Sequence, residues 1–592
     1  MDSVCFGLSE PHDEGFRSGL AMRGDLVVGV HQSQNQKDLW YRIGGVEIGI
    51  VRWITGHQYD TGITPAVAFA GNATIVEVHK SENNDRLYYH VGSIAGTTPQ
   101  DISITWSKSD DYDNGVQPRV AANASGLVVE VHKSEKEDVL WYHVGHVDGT
   151  RVKWEDSHKY TTGTHPAIAL FDDGTVVEIH ESENTEFLWY MTGKVTGNTI
   201  KWEKSVKHVE GRAPVIACDS PTGQVIEIHE NAGELVSMLG VIAGTSVTWG
   251  DSHHFDSGTE PAVAYSGSTA VQTHTNEALA ICSSLSVVID RKEWMRARQE
   301  VLDQRKLYEL VLPATHDSGT YDLGSEHVPD RCRTMSFDVP KELEEPYARA
   351  QSRDLAGQLS RGIRYFDLRV IPKDGDFRVF HDLIANTNSK VSSMLDQLAE
   401  FLGSVTRELV IVKFSHFCEF NDDHHAKLIG MIVDKIGPYL YAQGTMTAEE
   451  VMKLYFGDVT KDGPRVLIHY HDKKDGESYI KDHPANGFFG NLPTFDEFSG
   501  VDTYQPMHDD QLDKLKNHQA NPDKFFLLSW TLTPTGLDSM LMYPSLHGMS
   551  HEPNRKLGAF CNKWAPVYKM SFLYVDFFED ARAVDIAIQM NG

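Results

Sequence analysis

The stretch Leu310–Leu323 reads LVLPATHDSGTYDL, and it sets His316 and Asp317 side by side directly after a short apolar run. Further along, Asp367 and Arg369 stand in Asp-x-Arg spacing within GIRYFDLRV, His381 follows FRVF, and Asp576 follows SFLYV. Two imidazoles, a guanidinium and several carboxylates at strand ends fit cleavage of a phosphodiester. One imidazole takes a proton from the nucleophile and the other gives one to the leaving alkoxide. The guanidinium neutralises charge growing on the phosphoryl oxygens. Each carboxylate fixes an imidazole's tautomer and favours its cationic form. A plainer reading stands beside this one: a lone histidine at a strand end is often structural, and Asp-x-Arg on a strand equally makes a buried ion pair. Residue types and spacing leave both open, and His416, His469, His471 and His547 are read as structural.

The segment that must position these groups begins near Arg291. EWMRARQEVLD has helical apolar spacing, after which strands and helices alternate. LYELVLP, GIRYFDLRV, FRVFHD, ELVIVKFSHF, RVLIHYH, FFLLSWTLT and SFLYVDFF read as strands; SSMLDQLAEFLGSV and HAKLIGMIVDKIG read as amphipathic helices. About 300 residues of this alternation, with no glycine-rich phosphate loop after the first strand, predict a TIM-like (β/α) barrel over residues 288–592.

Residues 1–287 are instead a repeat array. VVGVHQSQNQKDLWYRIG around His31 recurs at His79, His132 and His180, with degenerate copies at His229 and His274, spaced 48, 53, 48, 49 and 45 residues apart. Each unit carries a β-branched-x-Trp step (Trp53, Trp106, Trp154, Trp202, Trp249) and a glycine before the next unit (Gly62, Gly115, Gly163, Gly211, Gly258). The third unit holds four short strand-like stretches, PRVAA, LVVEVHKS, VLWYHVG and RVKWEDS, which is the period of a propeller blade. SVCFGLSEPHDEG at the N-terminus aligns with SVTWGDSHHFDSG from Ser246 to Gly258, whereas the sixth unit lacks a fourth strand of its own. The N-terminal strand should supply it and close a six-bladed ring. The repeated histidines and Leu-Trp-Tyr trios are read first as packing residues, because each unit must pack on the next. The alternative is that they line sugar-binding sites between blades, as in propeller lectins. One histidine per unit is too few ligands for a repeated metal site.

The chain has 592 residues and a formal net charge of −30, which opposes sequence-independent nucleic-acid binding and general attraction to an anionic bilayer. No apolar run reaches transmembrane length, and the N-terminus shows no cleavable signal. A soluble protein is expected, cytoplasmic or secreted by a non-classical route, with peripheral membrane contact. Cys5, Cys218, Cys282, Cys332, Cys418 and Cys561 are scattered without CxxC spacing and read as reduced, mostly buried thiols.

At the strand ends named first, the chain resembles the phosphatidylinositol-specific phospholipase C family in its X-type catalytic domain, over roughly Arg291 to Asn591. LPATHDSGTY resembles the family's Pro-Gly-Thr-His-Asn/Asp-Ser strand end, with Ala314 where glycine is usual. QLSRGIRYFDLRV resembles its second strand and FRVFHD the segment bearing the second catalytic histidine. The resemblance implies His316 as general base, His381 as general acid, Asp317 assisting His381, Asp576 orienting His316, and Asp367 holding the network together. Calcium-dependent animal members place an aspartate ligand where Arg369 stands and another acidic ligand where Ser415 stands; bacterial-type members place arginine at the first position. It therefore implies no metal and no other cofactor, with the guanidinium standing in for calcium, and it suggests Tyr470, as an inositol-ring contact, and Ser415 as substrate-binding residues. The implied reaction cleaves phosphatidylinositol-type lipids, or glycosylated inositol anchors, to diacylglycerol and inositol 1,2-cyclic phosphate at a membrane surface. Two other readings remain. One is a metal-dependent glycerophosphodiester phosphodiesterase, which would want His-Arg-Gly and Glu-x-Asp. The other is a glycan- or protein-binding propeller joined to an inactive barrel.

Overall fold

The structure is a computed structural model that describes residues 3–7, 9–34, 37–47, 50–54, 56–96, 101–333, 341–381, 384–441, 446–472, 478–519 and 523–591. The chain divides into two compact units, Met1–Ile289 and Asp290–Gly592.

The first unit holds six antiparallel sheets, each a four-stranded meander with a short fifth strand paired to the third. Ser3–Phe6 pairs antiparallel with Ala280–Ile289, from Ser3 opposite Ile289 to Phe6 opposite Ser286. The N-terminus thus supplies the fourth strand of the sixth blade, as the alignment of the two sequence segments requires. The second strand of a blade, such as Leu127–Lys133, is buried on both faces, which is why it reads as an apolar run, whereas outer strands such as Arg151–Trp154 expose alternate residues. In the third blade Val128 packs toward the second blade, whereas its neighbours Val129 and Val131 pack toward the fourth. The tyrosine of each trio meets the tryptophan of the next blade edge-on: Tyr41 on Trp106, Tyr89 on Trp154, Tyr142 on Trp202 and Tyr190 on Trp249, at 5.7 to 5.8 Å between centroids. The repeated glycine has a steric cause: a Cβ on Gly115 would lie 2.5 Å from Cδ2 of His132 and 2.9 Å from the Lys133 carbonyl oxygen.

The second unit contains eight parallel strands that follow one another in chain order: β1 (Leu312–Thr315), β2 (Tyr365–Lys373), β3 (Leu409–Ser415), β4 (Arg465–Tyr470), β5 (Phe488–Phe489), β6 (Thr494–Phe495), β7 (Phe525–Ser529) and β8 (Phe572–Val575). β1 pairs with both β2 and β8, so the sheet curls back on its first strand; among the described residues β5 and β6 are not paired. The helices Val391–Ser404 and Asp422–Ile436 lie in the β2–β3 and β3–β4 connections. No helix of the described residues is long and apolar enough to cross a membrane.

Three expectations change. LYELVLP is not strand throughout: Leu307–Glu309 forms a 3-10 turn, and β1 begins only at Leu312. FRVFHD is not a barrel strand. Asp376–His381 folds back antiparallel on the far end of β2, Val370 opposite Val379, forming an arm beyond the barrel rim; Asp382 lies outside the described residues. The strands β5 and β6 have two residues each, too few to show any periodicity in sequence.

Nor are all six thiols free. Cys332 and Cys418 form a disulfide across a separation of 86 residues. No short spacing announces it, because the arm brings the two together: the Cys418 N–H donates to the Val370 carbonyl at 2.9 Å. Both cysteines then pack with Val328, Ile371 and Phe380. Replacing both by serine is expected to cost about 2–4 kcal/mol, read as a lower denaturant midpoint for the barrel. A midpoint equal to that of the unmodified protein would show that the bridge contributes nothing.

Candidate active site at the barrel mouth

Strand register brings the chemistry-bearing residues to one level. Thr315, last in β1, stands opposite Val575, last in β8, so His316 and Asp576 follow on adjacent strands, and the His316 N–H donates to the Val575 carbonyl at 3.0 Å. Thr315 also stands opposite Phe366, which puts Asp367 at the same height. Asp367 and Arg369 share a face of β2 by the two-residue period of a strand, opposite Lys413 and Ser415 of β3. These are carboxyl ends of parallel strands, where a barrel gathers its functional groups.

His316 Nδ1 lies 2.7 Å from Oδ1 of Asp576, and its Nε2 lies 3.1 Å from Oδ2 of Asp317 and 3.1 Å from Nη2 of Arg369. Arg369 Nε is 2.8 Å from Oδ1 of Asp317, and His381 Nε2 is 3.3 Å from Oδ2 of Asp317. The two imidazoles stand edge to face, centroids 5.1 Å apart. His381 Nδ1 faces the Ala348 carbonyl at 3.1 Å, which orients the ring with Nε2 inward. Asp317 is therefore the hub, touching both histidines and the arginine. Its φ of 40° lies in the left-handed region, a conformation that costs an aspartate on the order of 1 kcal/mol. Its carbonyl accepts from the Thr320 N–H at 2.9 Å and the Thr320 hydroxyl at 2.8 Å, closing a tight turn that holds it there.

Asp367 and Ser415 lie beside this cluster. Asp367 accepts from the Tyr574 hydroxyl and from Ser415 Oγ at 3.3 Å, while its N–H donates to Ser318 Oγ at 2.8 Å. Ser415 also lies 3.0 Å from Nδ1 of His416. Tyr470 is not joined to the cluster. It is buried, with its hydroxyl 2.8 Å from His425 Nδ1 and its ring against Phe417. His547, read as structural, pairs with Asp580 at 2.6 Å.

Electrostatics follow from this crowding. Burial pushes the His316 imidazole down, but the carboxylates of Asp317 and Asp576 outweigh it and lift it to about 10. Burial works against the Asp317 carboxylate, yet Arg369 and the two histidines hold it far below the ordinary range. His416 is lowered to about 4 by burial and by Arg369. The folded state thus favours protonated His316. That contribution to stability is fully present below the unfolded value near 6.5 and is lost as pH rises through about 10. In an NMR titration His316 is expected to keep its proton well above pH 7, and Asp576→Asn is expected to lower its midpoint. An unchanged midpoint in Asp576→Asn would remove Asp576 from the role of partner.

Residues 335–455 match the family model described as phosphatidylinositol-specific phospholipase C, X domain. The C-terminal unit thus contains a segment similar to that X domain. PI-PLC X domain-containing protein 3 of Bos taurus is 32% identical over 195 residues, which are 30% of this chain and 57% of that protein. The chain thus spans little more than half the length of this relative. The phosphatidylinositol-specific phospholipase C of Listeria monocytogenes aligns at 21% identity and a TM-score of 0.39, over 51% of this chain and 99% of that one. A mutant of Aleuria aurantia lectin in complex with alpha-methyl-L-fucoside aligns at 12% identity and a TM-score of 0.34, over 47% and 97%. The segment matched to the X-domain model takes in Asp367, Arg369 and His381, while His316 and Asp576 lie outside it and reach the cluster through strand register.

Sequence reading missed several residues of this unit that support the cluster. Gln351 donates to the His316 and Val575 carbonyls, both at 3.0 Å, from a loop that carries no motif. Tyr574, which holds Asp367, stands two residues before Asp576 on the same face of β8, and extending the period of SFLYVDFF would have found it. Lys413 sits buried within the apolar run ELVIVKFSHF and pairs with Asp496 at 2.6 Å. A lysine inside such a run is itself the signal, since burying its charge requires a partner.

Proposed function

We propose that the barrel is a phosphodiesterase of the phospholipase C type, which cleaves inositol phospholipids or glycosylated inositol anchors by internal transfer. The single observation that supports this most is Asp317 touching His316, Arg369 and His381 at once, a grouping that fits a base, an acid and a guanidinium acting on one phosphorus atom. His316 rests protonated between Asp317 and Asp576. Substrate entering at Nε2 displaces the Asp317 carboxylate that holds this proton, the proton leaves to solvent, and the neutral ring then takes the proton of the inositol 2-hydroxyl. Asp576, holding Nδ1, stabilises the imidazolium so formed. The inositol 2-oxygen attacks the adjacent phosphorus, and Arg369 neutralises the charge growing on the non-bridging oxygens. His381, paired with Asp317, protonates the departing glycerol oxygen. Diacylglycerol leaves, and inositol 1,2-cyclic phosphate remains.

Calcium is not needed in this scheme, because Arg369 Nε, 2.8 Å from Asp317 Oδ1, supplies the positive charge. A metal-centred reading also has an observation behind it: His316, Asp317 and His381 offer three ligand atoms within 4.8 Å of one another. One experiment separates the two. With phosphatidylinositol and EDTA, phosphorus NMR is expected to show a five-membered cyclic phosphate. Loss of turnover in EDTA, or an acyclic first product, would reject the proposal.

Contact with a lipid surface has its own support. Leu541 and Met542, at the end of the short helix Leu537–Met542 that follows β7, and Phe498, in the segment after β6, are 79%, 65% and 64% exposed at the rim that carries the site. Because a net charge of −30 repels an anionic bilayer, such apolar tips and a glycan or protein ligand of the propeller provide the docking. The Cys332–Cys418 bridge favours an oxidising compartment.

A further inference from the structure

Each propeller unit repeats one histidine, but the ring adds two further groups to it. In the second blade, His79 and His90 lie on adjacent strands, and the short strand His57–Thr61 of the first blade brings Asp60 against them. Asp60 Oδ2 is 2.8 Å from His90 Nε2 and 3.7 Å from His79 Nε2. One interface further, Asp113 Oδ2 repeats the arrangement, 2.8 Å from His143 Nε2 and 3.7 Å from His132 Nε2. In each trio the three ligand atoms lie within 4.8 Å of one another.

Every outward-facing atom of these residues is already spoken for, which fixes what the inner atoms can do. His79 Nδ1 is held by Glu77 at 3.1 Å and His90 Nδ1 by the Ser107 carbonyl at 2.8 Å. His132 and His143 repeat this with Glu130 at 3.0 Å and the Glu155 carbonyl at 2.9 Å. Glu77 is fixed in turn by the Tyr59 hydroxyl at 2.9 Å, and the other oxygens of Asp60 and Asp113 accept from the N–H of Thr61 and Asn114 at 2.8 Å. With Nδ1 donating in all four rings, the Nε2 lone pairs and a carboxylate lone pair converge on one point. A carboxylate and two ring nitrogens meeting there are satisfied by one shared proton or by a metal ion. Second-neighbour acceptors on the far ring nitrogens are the usual arrangement around histidines that bind metal.

The other interfaces vary at this position, and between the fifth and sixth blades Asp256 stands 4.0 Å from His274 Nε2 with Ser284 where His90 would be. Between the sixth and first blades Arg42 replaces His90 and its Nε pairs with Asp13, supplying the cation covalently. Between the third and fourth blades Asp60 and His90 are replaced together, by Thr161 and Met191, and between the fourth and fifth by Val209 and Met238. Where the carboxylate goes, the second imidazole goes with it.

We propose that Asp60, His79 and His90, and again Asp113, His132 and His143, each bind one divalent transition-metal ion of the zinc class and so clamp neighbouring blades together. Two neutral imidazoles and a carboxylate are a donor set for zinc rather than calcium or magnesium. The histidines are buried, but Asp60 and Asp113 are 27% and 26% exposed, so solvent reaches the site to complete four-coordination.

The test uses the full chain, stripped with a chelator and dialysed against zinc. It is expected to hold two more zinc ions than the variant Asp60→Thr/His90→Met/Asp113→Thr/His143→Met, and the Asp60→Thr/His90→Met variant is expected to be one ion short. These residue pairs stand naturally between the third and fourth blades, so the ring tolerates them. His316→Ala removes a donor from the barrel cluster and should leave both propeller ions in place. X-ray absorption at the zinc edge of the His316→Ala protein, which needs no propeller variant, is expected to show two imidazole nitrogens per ion. Equal zinc content in the parent and fourfold variants, or an oxygen-only shell, would overturn the assignment. His90 and His143 would then be imidazolium partners of Asp60 and Asp113.

Discussion

Replacing His316 by alanine is expected to lower phosphatidylinositol turnover by about 10²- to 10⁴-fold, and His381→Ala by a similar factor. The two losses have different causes, and the leaving group tells them apart. In the proposed scheme His316, oriented by Asp576 at 2.7 Å, is the base, so its removal slows attack whatever group departs. In the proposed scheme His381 only protonates the departing oxygen, so an aryl ester of inositol phosphate, whose phenolate leaves without a proton, should recover most of the rate in His381→Ala and little in His316→Ala. Because both rings share Asp317, the double variant should lose much less than the product of the two single losses. If either single variant cleaves phosphatidylinositol at close to the parent rate, the proposed roles fail. Equal recovery of both variants with the aryl ester would sink the division of labour between them.

The second large effect concerns Arg369. Arg369→Ala is expected to cost about 10²- to 10³-fold in kcat, the range found when one oxyanion-stabilising donor is removed. The guanidinium does two things in this geometry: Nε holds Asp317 at 2.8 Å while Nη2 reaches His316 Nε2 at 3.1 Å. A lysine keeps the charge but has no planar fork to span both, so Arg369→Lys should fall between alanine and the parent. Arg369→Ala should also be less stable to denaturant, because the buried Asp317 carboxylate then loses its strongest compensating charge. Steady-state kinetics on mixed micelles separates the effects, with the loss expected in kcat more than in KM. An Arg369→Ala enzyme within a few-fold of the parent would rule out the guanidinium as the stabilising charge.

Much of this site can be read from the chain because the barrel's strand ends are local in sequence. His316 with Asp317, and Asp367 with Arg369, are neighbours or next-neighbours on one strand, and the strand period alone sends each pair to the rim. The ring closure is legible for a similar reason: a segment resembling SVTW at one terminus and a missing strand at the other are both sequence facts, and pairing satisfies the backbone of each. The Cys332–Cys418 bridge, Gln351 and the burial of Tyr470 against His425 left no such trace, since each depends on a connection whose path no periodicity records.

The sequence by itself determined two architectures, the number of blades and the residue types gathered at the strand ends, because repeat period, strand alternation and side-chain chemistry are properties of short windows. Only the tertiary structure decided which of those groups touch. Strand register set His316 beside Asp576, the antiparallel arm carried His381 back to Asp317, and the joining of neighbouring blades put Asp60 against His79 and His90. Those contacts depend on separations in space that chain order does not contain.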